Sequence, residues 1–235
     1  CAAFWKRLYE VDPDVPPTAT VLLPAPAPAP PPGQPPDTGP QVTAYTDGGA
    51  VDNGKPTCFA TWAVHFPQEE FRDRNGRAWG GPQSNNRGEI CAVVIALETV
   101  GNGTTLNLNT DSRVVRDGVG AMKKHADGDF EGVEHGDLWR TVLRTVLMKN
   151  INLQVRWVKG HSDAPGEDKK GNDTADALCT KAKEPRFAND PICERKEDLT
   201  PVPWTGMDGT MPTEAEMIAR LAQLHNNATG MDKVE

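Results

Sequence analysis

Val42-Thr43-Ala44-Tyr45-Thr46-Asp47-Gly48-Gly49 alternates β-branched and aromatic residues with smaller ones and then meets a glycine pair. That pattern predicts a strand running into a turn, with the Asp47 carboxylate at the strand terminus. Three more acids stand in comparable places. In Asn85-Asn86-Arg87-Gly88-Glu89-Ile90-Cys91-Ala92-Val93-Val94-Ile95-Ala96-Leu97, the residues Ile90, Val93, Val94 and Leu97 recur at helical spacing. This predicts a helix packed against an apolar surface, with Glu89 in its first turn. Asp111 follows the alternating run Thr105-Leu106-Asn107-Leu108-Asn109-Thr110 and precedes Ser112-Arg113-Val114-Val115-Arg116, which reads as a helix start. Asp176 lies in Gly171-Asn172-Asp173-Thr174-Ala175-Asp176-Ala177-Leu178-Cys179, again helical in period.

Singly, each acid has an ordinary reading: Asp47-Gly48 as a turn pair, Asp111 as a helix N-cap, Glu89, Asp173 and Asp176 as solvated helix faces. Together, two strand ends and two helix turns can supply one acidic cluster. Carboxylates forced together repel, so such a cluster makes physical sense mainly when cations occupy it. Mg²⁺ suits oxygen ligands of this kind, and two such ions can serve an in-line displacement at phosphorus. His161, in Val158-Lys159-Gly160-His161-Ser162-Asp163, taken alone is an exposed loop histidine.

The remaining pattern predicts an α/β architecture. Strands are expected over 42–47 and 58–66, followed by a polar hairpin around Asn75-Gly76 leading to Trp79. Then come a helix over 86–100, a strand over 104–110, helices over 112–125 and 137–149, a strand over 151–158 and a helix over 172–183. Antiparallel pairing first and alternation afterwards imply a mixed five-stranded sheet with helices on its faces. Ile151, Leu153, Val155 and Trp157 alternate, which turns one face of the last strand toward the core.

Residues 41–184 resemble a type 1 ribonuclease H domain. The resemblance rests on Tyr45-Thr46-Asp47-Gly48, Ser84-Asn85-Asn86-Arg87-Gly88-Glu89, Thr110-Asp111-Ser112, Trp157-Val158-Lys159-Gly160-His161-Ser162 and Gly171-Asn172-Asp173-Thr174-Ala175-Asp176, in that order. It implies a ribonuclease H-like fold and endonucleolytic hydrolysis of the RNA strand of RNA/DNA hybrids, giving 3′-hydroxyl and 5′-phosphate ends. It also implies that Asp47, Glu89, Asp111 and Asp176 hold two Mg²⁺ ions, with Mn²⁺ as a substitute. His161 would assist proton transfer or product release, a role suited to a histidine in a glycine-bordered loop. Asn53, Ser84, Asn85 and Asn86 match positions that touch the hybrid, where short amides and hydroxyls suit reading of ribose 2′-hydroxyls. Two rivals are a catalytically silent domain of the same fold and a recombinase of the same superfamily. Retention of all five chemical residues argues against the first, and the second leaves the Asn85-Asn86-Arg87-Gly88-Glu89 and Lys159-Gly160-His161-Ser162 elements unexplained.

One departure stands out. Where cellular members carry a basic, tryptophan-bearing protrusion, the stretch from Gly118 to Gly136 holds Lys123 and Lys124 and no tryptophan. The whole chain has 25 Lys and Arg against 33 Asp and Glu, a formal net charge of −8, so little basic surplus is available for phosphate contacts. A neighbouring domain is therefore expected to help hold the hybrid. Residues 1–40 are expected to be the remnant of an upstream region plus a Pro/Ala-rich linker, Ala25-Pro26-Ala27-Pro28-Ala29-Pro30-Pro31-Pro32-Gly33 forming a semi-rigid spacer. Ribonuclease H domains joined by linkers to reverse transcriptases occur in retroelements, which makes an upstream reverse transcriptase domain the expected partner. Residues 185–235 are expected to be an irregular extension with a short helix near 213–225, opened by the capping box Thr213-Glu214-Ala215-Glu216. Cys1, Cys58, Cys91, Cys179 and Cys193 are odd in number and suggest reduced thiols inside the cell, in nucleus or cytoplasm. No apolar run is long enough for a membrane span, so no membrane partner is expected.

Overall fold

The computed structural model describes residues 39–125, 130–160 and 166–189. Five strands, β1 (Gln41–Val51), β2 (Phe59–His65), β3 (Arg74–Arg77), β4 (Thr105–Thr110) and β5 (Asn152–Trp157), make one sheet in the order β3-β2-β1-β4-β5. Short reversals join the first three, which pair antiparallel, whereas β4 and β5 arrive through helices and pair parallel. Four helices accompany them: α1 (Asn85–Thr99), α2 (Arg113–Ala121), α3 (Gly136–Met148) and α4 (Glu167–Lys181). This is the mixed, ribonuclease H-like α/β sheet expected from the sequence.

Side-chain alternation gives the sheet two working faces. Val42, Ala44, Trp62, Val64, Leu106, Leu108, Leu153 and Val155 join α1 and α3 in the main core. Tyr45 and Gly49, on the opposite face of β1, meet α4: an added Cβ on Gly171 would sit 2.4 Å from the Tyr45 ring. The α1 periodicity suggested a one-sided helix, but everything from Arg87 to Leu97 is buried, because the sheet covers one side and α3 another. The end of α1 is closed by Lys149, whose Nζ donates to the carbonyls of Leu97 (3.1 Å), Glu98 (2.7 Å) and Val100 (2.7 Å).

Several expected details are corrected. Asn75 and Gly76 are not a turn; they pair with Ala63 and Trp62 inside β3. Asn75 is 2% exposed and donates to the Leu178 carbonyl at 2.8 Å, so this amide ties the sheet to the end of α4. Trp157 is 37% exposed while Leu153 and Val155 are buried, because the core ends before β5 does. Its indole N–H donates instead to the Asp111 carbonyl at 2.9 Å. Helix α4 starts at Glu167 rather than 172, its first turn pinned by Asp168, which accepts from the Tyr45 hydroxyl (3.1 Å) and pairs with Arg156. The helix expected over 112–125 gives way after Ala121 to a 3₁₀ turn, Met122–His125. Apart from 39–40 and 185–189, the expected linker and C-terminal extension lie outside the described residues. Among the described residues no helix is long and apolar enough to cross a membrane.

Candidate active site

Backbone pairing places the first two acids. The parallel β1–β4 ladder runs from Gln41↔Thr105 to Thr46↔Thr110. Asp47, still within β1, and Asp111, just past the end of β4, come next and approach one another. Asp47 is thus not at the end of β1, as the glycine pair suggested. The strand continues to Val51 on its antiparallel partner, and only its parallel partner stops.

Glu89 comes from α1, whose start at Asn85 puts it in the second turn rather than the first. Two glycines make its approach feasible. A Cβ on Gly48 would lie 2.1 Å from the Glu89 nitrogen, and one on Gly88 would lie 2.2 Å from the Thr61 carbonyl oxygen. Helix and sheet therefore touch backbone to backbone at this point.

One carboxylate oxygen from each of Asp47, Glu89 and Asp111 falls within 4.8 Å of the others, a grouping able to hold a metal ion. Asp176, exposed on α4, stands outside that group, yet its charge helps raise Asp47. Asn172, one helical turn earlier, donates from Nδ2 to Asp111 Oδ2 at 3.3 Å, and its own Oδ1 is buried without a partner. Gly160 abuts the same carboxylate, for an added Cβ would sit 2.4 Å from Asp111 Oδ2. The adjoining His161 lies outside the described residues.

The cluster is electrostatically strained. Burial, then the charge of Asp111, push Asp47 up to about 7, and a hydrogen bond with Cys179 only partly opposes them. Burial, then Asp47 and Asp111, raise Glu89 well above the ordinary carboxylate range. Glu89 Oε2 is buried with no hydrogen-bond partner. No cationic side chain among the described residues pairs with any of the three.

The four expected substrate-contact residues gather around the start of α1. Ser84 is its N-cap, accepting from the Arg87 N–H at 3.2 Å, and its Oγ lies 2.9 Å from His135 Nε2. Asn85 and Asn86 form the first turn, and Asn53 Oδ1 accepts from the Asn85 N–H at 3.2 Å.

Sequence reasoning missed the support behind this corner. Arg87 is fully buried and donates to the Trp79 carbonyl (2.6 Å) and to both carboxylate oxygens of Asp137 (3.2 and 2.5 Å). Burial alone would raise Asp137, but the hydrogen bonds and charge of Arg87 hold it below its usual range. His135 caps α3 with a left-handed φ of 56° and is lowered chiefly by burial. A separate open cleft of about 920 Å³, lined by residues including Tyr45, His65, Phe66, Asp168 and Lys170, contains none of the four predicted acids.

A sheet ordered β3-β2-β1-β4-β5, with acids meeting where its central parallel ladder stops, defines the ribonuclease H-like class of α/β proteins. The chain belongs to the RNase H family, whose model matches residues 39–184. It is similar to the Ribonuclease H of Parvibaculum lavamentivorans, 32% identical over 61% of this chain and 93% of that protein. The Ribonuclease H of Alcanivorax borkumensis is 34% identical over 60% of this chain and 89% of its own length. Among solved structures, the PFV RNase H domain is 21% identical and aligns with a TM-score of 0.45, covering 60% of this chain and 93% of that one. By its family and its similarity to the two bacterial proteins, the chain is an enzyme of the ribonuclease H type.

Proposed function

We propose that the chain cuts the RNA strand of RNA/DNA hybrids endonucleolytically, leaving 3′-hydroxyl and 5′-phosphate ends, with Asp47, Glu89, Asp111 and Asp176 holding two Mg²⁺ ions. The observation that carries this reading is the meeting of Asp47, Glu89 and Asp111, with Glu89 Oε2 unpartnered. Hard oxygen donors of like charge in a buried corner fit a divalent cation, and Mn²⁺ suits the same donors. Bound there, divalent ions supply activation of the attacking water and stabilisation of the leaving oxygen.

The chain's own residues organise the rest. Asn172 orients the Asp111 carboxylate through its 3.3 Å hydrogen bond. We assign proton transfer or product release to His161, which follows Gly160 in the sequence. Asn53, Ser84, Asn85 and Asn86 would meet the hybrid backbone and ribose hydroxyls at the positive end of α1. With a net charge of −8 the chain offers few phosphate contacts of its own, and we assign the missing grip to an upstream domain of reverse transcriptase type. Cys58, Cys91 and Cys179 form no disulfide with one another, which fits a reducing compartment, nucleus or cytoplasm.

The test is incubation with an RNA/DNA hybrid labelled on each strand, with Mg²⁺ or with EDTA. Cleavage confined to the RNA strand and requiring Mg²⁺ is expected. Absence of cleavage at high enzyme concentration overturns the proposal, and cutting of duplex DNA transfers the chain to the recombinase reading.

A further inference from the structure

We propose that Arg113 and Trp157 form a backbone-binding subsite beside the acidic cluster: the Arg113 guanidinium takes the phosphate next to the scissile one, and the Trp157 ring carries the ribose between them. This deepens the reading of the chain as a hybrid-cutting enzyme and rests on it.

Both residues are tied to Asp111. Trp157 closes β5 opposite Thr110, the last residue of β4, and its indole N–H donates to the Asp111 carbonyl at 2.9 Å. Arg113 follows Asp111 by two residues and opens α2 after the N-cap Ser112. A strand whose phosphate sits at the acids therefore runs past both side chains as it leaves the cluster.

The fold itself needs neither side chain where it stands. The indole bond holds the Trp157 ring in place, yet the ring joins no core: it is 37% exposed, whereas Leu153 and Val155 are buried. A large aromatic that is both anchored and exposed suits a sugar or base of a passing strand. Arg113 is exposed at the positive end of α2, where a cation weakens the helix slightly. Arg116, further along the same helix, pairs with Asp117 at 2.8 Å. Among the described residues Arg113 has no carboxylate partner, and its guanidinium carbon lies 6.0 Å from the Trp157 ring centroid instead. A guanidinium resting against a ring keeps its N–H fork free for a phosphate, whose geometry it matches. In a chain of net charge −8, that cation attracts the backbone at the point where three carboxylates repel it.

The experiment follows cleavage of a labelled RNA/DNA hybrid by the full chain in saturating Mg²⁺ over a series of salt concentrations. Wild type is compared with Arg113→Gln, Arg113→Lys, Trp157→Phe and Trp157→Ala, and thermal unfolding in EDTA checks each fold. Arg113→Gln should raise KM about tenfold with kcat changed less than about twofold, and flatten the slope of log KM against log salt by about one, the loss of one phosphate contact. Arg113→Lys keeps the charge and should keep the slope. Trp157→Ala should raise KM about five- to tenfold, and Trp157→Phe, which keeps a ring without the indole N–H, about twofold or less. An Arg113→Gln chain with the KM and salt slope of wild type overturns the subsite and leaves hybrid cleavage standing. So does a Trp157→Ala chain that loses kcat alone, the mark of a residue acting only through Asp111. A wild-type chain that cuts no hybrid overturns the functional reading, and this inference with it.

Discussion

Arg87 and Glu89 stand two residues apart on α1, both buried, in surroundings of opposite electrical character. Arg87 faces a carboxylate, a carbonyl and a histidine, and its partner Asp137 is held in its charged form. Glu89 faces two more carboxylates, keeps one oxygen without a partner and is pushed toward its neutral form. A buried charge answered by the protein holds the fold together, whereas a buried charge left unanswered waits for something the protein binds. The same helix carries both, so the stable network fixes the strained one in place.

Breaking the answered side should cost most. Arg87→Ala leaves Asp137 without its cation and the Trp79 carbonyl without its donor. Urea denaturation of the metal-free chain should show a loss of about 3–5 kcal/mol, as for removal of one partner of a buried pair. Gly48→Ala attacks the join between the two sides, since its Cβ would meet the Glu89 nitrogen at 2.1 Å with backbone behind both atoms. The helix must back away, which should cost about 1–3 kcal/mol. Cleavage should fall at least tenfold because Glu89 moves with the helix, and a hybrid assay on the refolded variant would show this.

The two sides differed in how far the sequence disclosed them. Asp47, Glu89 and Asp111 were legible because each follows a strand pattern or opens a helix pattern, and β1 and β4 need only pair in parallel to bring two of them together. The Arg87–Asp137 pair was hidden because it joins segments 50 residues apart, and a buried arginine leaves no periodic trace. Asn172 had a signal that went unused: it precedes Asp176 by four residues and so shares its helix face. Local cues also misled where tertiary structure overrode them. Asn75-Gly76 has turn chemistry, yet the β2 register and the bond to Leu178 keep it in a strand. Trp157 continues the alternation of β5 past the point where any core remains to receive it.

The last effect tests the central claim most directly, because its sign is unusual. Asp47 sits near 7 in the folded, metal-free chain, against about 4 when unfolded. An acid raised in this way weakens the fold progressively as pH climbs between those values, with the full penalty above the folded one. Asp47→Asn removes the penalty. In EDTA at pH 8 the variant should therefore be more stable than wild type by about 2 kcal/mol, or roughly 4–8 °C in Tm, with the gap closing toward pH 4. Saturating Mg²⁺ should then raise the wild-type Tm by several degrees and the variant's by little. A variant less stable than wild type in EDTA at pH 8 would contradict the claim that this corner is strained until a cation fills it.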